Sequence, residues 1–340
     1  MLGQSLLSVS GERLRRPVMF SLTEVEGKGA GLVALQDIPP GTLLISESSV
    51  LRVTIMDGDL SPGASKDVSR QFSEMDEAQR RTVMSLANSY DDQNEILGIF
   101  RTNAMIISGS EAAVYPWVCR ANHSCAPNCN YHHNNLSGEQ ELYSVAMIRA
   151  GEEVTVTYLP DNMVGGREAR RSYLMTSHRF LCQCELCSLE GEAWTRDEER
   201  RRVNLRRIGR SDQQEPHINL FVSAEINFMA GKIPLEVGET PLKMKYKYSC
   251  LNLLHDMEQM KMSIPSIFLI KSCIFSIYVL LMETDMAVVW ARELWKMSSL
   301  MTGRESELTV NWENTVEGLE TYFKDRDLLQ QSVEGWSLYI

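Results

Sequence analysis

The sequence predicts an α+β chain in two parts: a strand-rich first half with a small helical insertion, and an all-α second half. Three observations carry that expectation. Short apolar, β-branched runs bounded by glycine, proline and asparagine recur over 17–56 and 141–158. Between them, over 67–107, the apolar residues switch to helical spacing. From 215 onward no strand pattern is convincing, and helical spacing returns.

In chain order, Val18-Met-Phe-Ser-Leu reads as a strand that runs into the glycine-rich turn Gly27-Lys-Gly-Ala-Gly31. Gly31-Leu-Val-Ala-Leu follows as a second strand, and Asp37-Ile-Pro-Pro-Gly41 as a second turn. Thr42–Ser46 and Val50–Ile55 have the β-branched content of strands, and 57–66 is a polar loop with two glycines and a proline. Val68, Phe72, Met75, Val83 and Leu86, then Ile96, Ile99, Phe100 and Ala104, fall on helical faces and define the insertion. Two more strands are expected at Glu141–Met147 and Glu153–Tyr158, and a short helix over Arg167–Ser177. The acidic and arginine-rich stretch at 190–213 reads as a solvated helical connector. Helices are expected near 217–230, 241–262, 266–283, 285–301 and 306–323, with Asp285 as an N-cap and Gly303 as a C-terminal stop. Connections this short imply antiparallel, repeat-like packing, although no strict 34-residue consensus is present.

At 340 residues the chain has room for two domains, and 44% hydrophobic with 23% charged residues is ordinary for a globular protein. A net charge of −11 argues against direct nucleic-acid binding, which needs a basic face. The leucines near the N-terminus precede Arg13, Arg15 and Arg16, the wrong order for a secretory signal, so the thiols are expected to stay reduced. Ser263–Met282 is long and apolar, but Pro265 and Lys271 mark it as a buried helix rather than a membrane span.

Two stretches hold the chemistry. Arg120-Ala-Asn-His-Ser-Cys-Ala-Pro-Asn-Cys-Asn130 combines a polar Asn122-His123 pair, a thiol and a turn. Phe180-Leu-Cys-Gln-Cys-Glu-Leu-Cys187 places Cys182, Cys184 and Cys187 on one short loop, where three thiolates can converge at about 2.3 Å on a tetrahedral zinc ion. A closed site needs a fourth ligand, for which Cys125 and Cys129 are the candidates.

Together with Gly27–Gly31 and Gly151-Glu-Glu-Val-Thr-Val-Thr-Tyr158, these stretches resemble, in order, spacing and content, the four sequence blocks of a SET-domain protein-lysine methyltransferase. The resemblance covers roughly residues 17–190. It implies a SET-domain β-fold with a zinc-binding post-SET loop, followed by a helical domain like a tetratricopeptide array. It implies S-adenosylmethionine as cofactor, held by Lys28, Gly29, Ala30, Asn103, Asn122, His123, Tyr158 and Phe180. Ala30 stands where relatives with a MYND insertion have arginine, so its contact must be through backbone. One structural zinc falls to Cys125, Cys182, Cys184 and Cys187, and Tyr158 becomes the catalytic residue. Methyl transfer to lysine needs a neutral amine, although free lysine is almost wholly protonated at pH 7, and needs nitrogen, methyl and sulfur in line. A tyrosine hydroxyl at the channel mouth suits that alignment.

The chain departs from SET–MYND relatives twice. Residues 51–110 contain no cysteine or histidine, so there is no MYND finger. His178 stands where those relatives have a second channel tyrosine, which bears on catalytic competence and predicts a rate that rises steeply with pH. A SET-fold interaction module with weak or no transfer is the alternative. The expected boundaries are an extension over 1–16, the SET domain over 17–190 with its insertion at 67–107, the connector at 191–213 and the helical domain at 214–340. The partner is a protein substrate with a target lysine. Nucleic acid and membrane contact are not expected, and the chain is expected to be a monomer of the cytoplasm, nucleus or both.

Overall fold

The computed structural model describes residues 19–56, 59–61, 63–90, 94–108, 110–160, 165–209 and 241–337. The chain divides into two compact units, one formed by 1–163 with 167–189 and the other by 164–166 with 190–340.

The first unit opens with a hairpin of β1 (Phe20–Val25) and β2 (Gly29–Ala34), whose register pairs Val25 with Gly29. β3 (Leu43–Glu47) and β4 (Leu51–Met56) follow. β4 alternates strictly, with Leu51, Val53 and Ile55 buried and Arg52, Thr54 and Met56 exposed, as a strand with one covered face must. After the short β5 (Asp59–Leu60) comes the insertion: α1 (Ala64–Glu74), α2 (Glu77–Met84) and α3 (Glu95–Asn103). Asp76 starts α2 through a capping box with Gln79, and the Asn94 side chain caps α3. These helices bury Val68, Val83, Leu97, Ile99 and Phe100 on the covered face of β4.

The insertion starts in the stretch expected as a polar loop and ends earlier than expected. Residues 105–108 form β6 (Met105–Ser108), which pairs with β7 (Glu111–Val114). The helical stretch was expected to run to 107, but Met105, Ile106 and Ser108 pair with Ala113, Ala112 and Glu111 of β7. The next two strands are β8 (Asn122–His123) and β9 (Cys129–Asn134). β9 was not expected, because only Cys129 of its six residues is buried. β10 (Glu139–Ser144) and β11 (Glu153–Val156) complete the sheets, and α4 (Arg167–His178) follows.

The strand orders are β1-β2-β11-β8, β3-β10-β9 and β5-β4-β7-β6. The first sheet organises the unit. β11 pairs antiparallel with β2 on one side and parallel with β8 on the other, setting Thr155 beside Asn122 and Val156 beside His123. Three stretches far apart in sequence meet on that one strand. Leu32, Ile38, Leu142, Ile148 and Val154 are fully buried beneath it. Asn128 fastens the turn after β8 to the same strand. Its Oδ1 accepts from Thr155 N–H at 2.8 Å and its Nδ2 donates to Glu153 O at 2.8 Å. Asn128→Ala is expected to cost about 1–3 kcal/mol, because it leaves two part-buried backbone groups unmatched. A lower urea midpoint with unchanged slope checks it.

The second unit begins with α5 (Gly191–Gly209), a helix in the stretch expected as a solvated helical connector. Asp197 and Arg201 are buried, and Arg201 donates through Nε to Asp197 at 2.8 Å and through Nη2 to the Met260 carbonyl at 2.8 Å. The i, i+4 pair thus docks α5 on the next described turn of chain instead of facing water. The helix expected near 217–230 lies outside the described residues. α6 (Pro241–Gln259), α7 (Ile264–Leu280), α8 (Thr284–Thr302) and α9 (Glu307–Ser337) each pack on the next, through connections at 260–263, 281–283 and 303–306. Leu253, Met257, Ile270, Ile274, Ile277 and Leu281 form their core.

Lys271, the charge inside the apolar run of α7, lies 3.9 Å from Glu258 and 3.8 Å from Glu293 on the neighbouring helices. No helix among the described residues is long and apolar enough to cross a membrane. Glu283, not Asp285, holds the N-cap position of α8, and Asp285 falls in the first turn. Gly303 ends the helix at φ 82°, as expected.

Candidate active site

The β1–β2 turn is built on two left-handed glycines, Gly27 at φ 71° and Gly29 at φ 72°. Gly31 has a different reason. A Cβ there would lie 2.6 Å from Asn122 Nδ2 and 3.0 Å from Glu153 Oε1, so the β2 backbone approaches the Asn-His block as closely as chemistry allows. Asn122 Nδ2 donates to Glu153 Oε1 at 2.9 Å and to the Ala30 carbonyl at 3.4 Å. Lys28 forms an ion pair with Glu153. Glu153, which sequence reasoning missed, therefore joins the glycine turn to β11 and β8. It also neutralises the Lys28 ammonium that was expected to meet the cofactor, leaving the backbone of that turn for the role. Gly31→Ala is expected to push the Asn122 amide off Glu153 and lower stability by about 1–2 kcal/mol. A urea titration beside the parent chain checks it.

His123 is 3% exposed, and burial lowers its pKa to about 4, so its ring is neutral. Tyr158 N–H donates to Nδ1 at 3.0 Å. A backbone N–H can only donate, so the imidazole proton sits on Nε2, which faces Cys125 Sγ at 3.3 Å. Both ring nitrogens are thus taken, one by the Tyr158 N–H and the other by Cys125 Sγ. The same bond explains why Tyr158 lies beyond the end of β11: its N–H turns to the imidazole instead of continuing the ladder.

The Tyr158 hydroxyl donates to the Ala121 carbonyl at 2.9 Å, and burial pushes its pKa up, so it is a neutral phenol. With its proton placed there, the oxygen keeps lone pairs with which to accept. Phe180 meets the Tyr158 ring edge-on at 6.3 Å and lies 5.9 Å from His123. His178 is the last residue of α4, and its ring centroid is 5.0 Å from that of Tyr158. Burial lowers its pKa below the usual histidine value, with the Tyr158 carbonyl opposing. Arg179, at φ 63°, turns the chain between them so that His178 and Phe180 line the same space. Tyr173 is 6.1 Å from His178 and packs in the cluster behind it.

That space is a cavity of about 430 Å³, within the range of small-molecule sites. Lys28, Gly29, Ala30, Asn103, Asn122, His123, Tyr158 and Phe180 all line it, so the structure brings the expected cofactor residues together. Asn103 is largely buried, and its Nδ2 donates to the Ala87 and Ile99 carbonyls at 2.7 Å each. Ser85, Cys119, Arg120 and Gln183 also line the cavity and were not singled out from the sequence.

Two cysteines of the 182–187 loop, Cys182 and Cys184, also line it. Cys125 Sγ is 3.9 Å from Cys182 Sγ and 3.6 Å from Cys187 Sγ, and Cys125 N–H points to Cys184 Sγ at 3.4 Å. All four sulfurs lie within 4.8 Å of one another and are buried, so the group can hold a metal ion. Tetrahedral thiolates at about 2.3 Å from zinc stand about 3.8 Å apart, which these spacings match. Cys129 is not in the group; it is buried in the sheet core. α4 braces the loop. Arg171 donates to the Cys182 and Cys187 carbonyls, Arg167 donates to the Cys187 and Leu189 carbonyls, and Arg170 Nη2 is 3.7 Å from Cys187 Sγ. The Arg170 charge favours thiolate there.

Residues 29–159 match the SET domain model, so that stretch of the chain is similar to SET domains. It is 25% identical over 173 residues to histone-lysine N-methyltransferase set5 of Schizosaccharomyces pombe, covering 51% of each chain. It is 30% identical over 97 residues to N-lysine methyltransferase SMYD2 of Homo sapiens, covering 28% of this chain and 20% of that one. Against histone-lysine N-methyltransferase SMYD3 of Mus musculus it is 38% identical over 77 residues, covering 23% and 17%. The chain thus spans about half the length of the fission-yeast relative and much less of the others. A crystal structure of a putative histone methyltransferase from Plasmodium falciparum aligns at 13% identity with a TM-score of 0.24, covering 42% of this chain and 96% of that one, a likeness that carries no argument.

Proposed function

We propose that the protein is an S-adenosylmethionine-dependent methyltransferase acting on lysine side chains of proteins, histone or non-histone. The observation that supports this most is the Tyr158 hydroxyl. It is fixed by the Ala121 carbonyl, faces the cavity formed by the glycine turn, Asn122 and Phe180, and keeps its oxygen available to accept. S-adenosylmethionine, when bound, supplies a sulfonium methyl group to a nucleophile. Gly29, Ala30, Asn122 and His123 would hold it through backbone and the Asn122 amide.

The chain's own groups set up the rest. Tyr158 accepts an N–H of the incoming lysine and so turns its lone pair toward the methyl group, a positioning role. Neither Tyr158 nor His178 brings positive charge at neutral pH, and the Tyr158 and Phe180 ring faces favour the cationic partners.

Cys125, Cys182, Cys184 and Cys187 hold one structural zinc ion, which fastens the post-SET loop to the turn after Asn122-His123. The second unit is read as a tetratricopeptide-like helical domain, with α5 as part of it. The partner is a protein bearing the target lysine, without direct nucleic-acid or membrane contact. The protein acts as a monomer in the nucleus or cytoplasm.

One observation favours a second reading. His178 replaces a phenol beside Tyr158, as suits a SET-fold interaction module with little transfer. Calorimetry with S-adenosylhomocysteine tests the cofactor site: micromolar binding weakened by Asn122→Ala is expected. Equal binding by both proteins would overturn the placement, and no binding by the folded, zinc-loaded parent would overturn the function.

A further inference from the structure

Arg120 was passed over in the sequence, where it only precedes the Asn-His block. In the structure it is a half-buried cation on the cavity wall. Nε donates to the Pro116 carbonyl at 3.0 Å and Nη2 to Ser85 Oγ at 2.7 Å. The Trp117 ring backs the guanidinium, with Cζ 5.7 Å from the ring centroid. The group is therefore oriented from behind and from the side, by the chain before β8 and by the turn after α2. A guanidinium has five N–H donors, and only two are engaged by described residues.

Its charge has no direct partner. Among the described residues no carboxylate lies within ion-pair distance. The nearest influence, Glu47, acts through space, while its Oε1 accepts from Trp117 N–H at 2.8 Å and Val118 N–H at 2.6 Å. Burial raises the Glu47 carboxyl to about 7, so it offers Arg120 only part of a charge at neutral pH. Burial also disfavours the charged form of Arg120 itself. A half-buried, oriented and uncompensated cation on a cavity wall is stabilised when an anion arrives.

The other charged groups of the cavity narrow the identity of that anion. Lys28 is neutralised by Glu153, His178 is held toward its neutral form, and Glu26 is exposed and acidic. Arg120 is the remaining fixed positive charge among the lining residues. A lysine side chain brings positive charge, and so do the sulfonium and α-amino groups of S-adenosylmethionine. That cofactor has one anionic group, the α-carboxylate.

We propose that Arg120 is the residue that receives the α-carboxylate of S-adenosylmethionine, held ready for it by Ser85, Pro116 and Trp117. The inference rests on the cofactor reading above and deepens it. A guanidinium fork matches a carboxylate in a way that lysine cannot, so the role is directional as well as electrostatic. It also gives the insertion a part in binding, since Ser85 at the end of α2 sets the angle of the fork.

The test is calorimetry with S-adenosylmethionine, its decarboxylated form and 5′-methylthioadenosine, on the parent, Arg120→Leu and Arg120→Lys. The first two ligands differ only in the carboxylate, and the third reports whether the adenosine end of the cavity is intact. The parent is expected to prefer S-adenosylmethionine over its decarboxylated form by about 30-fold. Arg120→Leu should abolish that preference while leaving the other two affinities within about twofold, and Arg120→Lys should restore part of it. A preference as large in Arg120→Leu as in the parent overturns the assignment alone. Equal weakening of all three ligands also overturns it, since Arg120 would then only support the cavity. A folded parent that binds none of the three overturns the cofactor reading and the assignment with it.

Discussion

Cys125→Ser is expected to release the metal and unfold much of the post-SET region. Cys125 is the one ligand of the four that lies outside the 182–187 loop, and its Sγ stands 3.9 and 3.6 Å from Cys182 and Cys187. Zinc held by all four would fasten that loop, and α4 through its three arginines, to the turn after β8. The unfolded chain has no preformed site, so binding free energy is folding free energy. The expected loss is several kcal/mol or more, against net stabilities of about 5–15 kcal/mol for a typical domain. The parent should contain one zinc per chain by metal analysis, and a chelator should lower its melting temperature toward that of Cys125→Ser. Unchanged zinc and unchanged melting in the variant would remove Cys125 from the ligand set. Cys129→Ser is the control, because Cys129 is buried in the sheet and its loss should leave the metal in place.

The second large effect is expected at Tyr158 and His178. Tyr158→Phe removes the oxygen proposed to accept from the amine and leaves the Ala121 carbonyl without its donor. The expected loss in turnover is on the order of 10²-fold, the usual scale for one positioned polar group in a transition state. His178 acts through charge. Its folded pKa lies below the usual histidine value, because burial disfavours the imidazolium. The ring is therefore neutral at pH 7 and above, and the imidazolium gains population only below the ordinary value near 6.5. This confines to pH below about 6.5 the steep rise with pH that the sequence alone predicted. Above pH 7 the rate ratio of His178→Tyr to the parent should be constant, and below about pH 6.5 it should rise as the parent takes up a proton beside the lysine and the sulfonium. The groups facing His178 are the Tyr158 and Tyr173 rings and, through space, His123, so no carboxylate among them reverses the sign. pH–rate profiles of the three proteins on one substrate check both statements. A ratio that is flat down to pH 5.5 would place His178 outside the substrate channel.

Much of the site was legible because its parts are spelled in short stretches with unusual composition. The glycine turn, Asn122-His123-Ser-Cys125 and the three thiols of 182–187 name themselves, and β2, β8 and β11 bring the first two together. The links between those stretches were not legible. Glu153 reaches Lys28 and Asn122 across the sheet, and nothing in a strand of alternating residues says which carboxylate will face the glycine turn. The protonation of His123 follows from a backbone N–H 35 positions later, which only the fold supplies. Arg120 looked like one of many arginines until its neighbours Ser85 and Trp117 fixed it on the cavity wall.

The fold shows the same division. β4 was clear from its apolar and β-branched content, whereas β9, rich in asparagine and histidine, shows no apolar pattern to detect. The i, i+4 pair of Asp197 and Arg201 reads as a solvated face in sequence, and its burial depends on a carbonyl 59 residues away.

The most direct measurement of the central claim is methyl transfer itself. The zinc-loaded protein, incubated with methyl-labelled S-adenosylmethionine and a cell lysate at pH 8, is expected to label proteins, with mass spectrometry placing the label on lysine nitrogen. Tyr158→Phe and Asn122→Ala should each reduce it sharply. Label on any other residue type, or a folded and cofactor-binding protein that labels nothing between pH 7 and 9, would contradict the assignment.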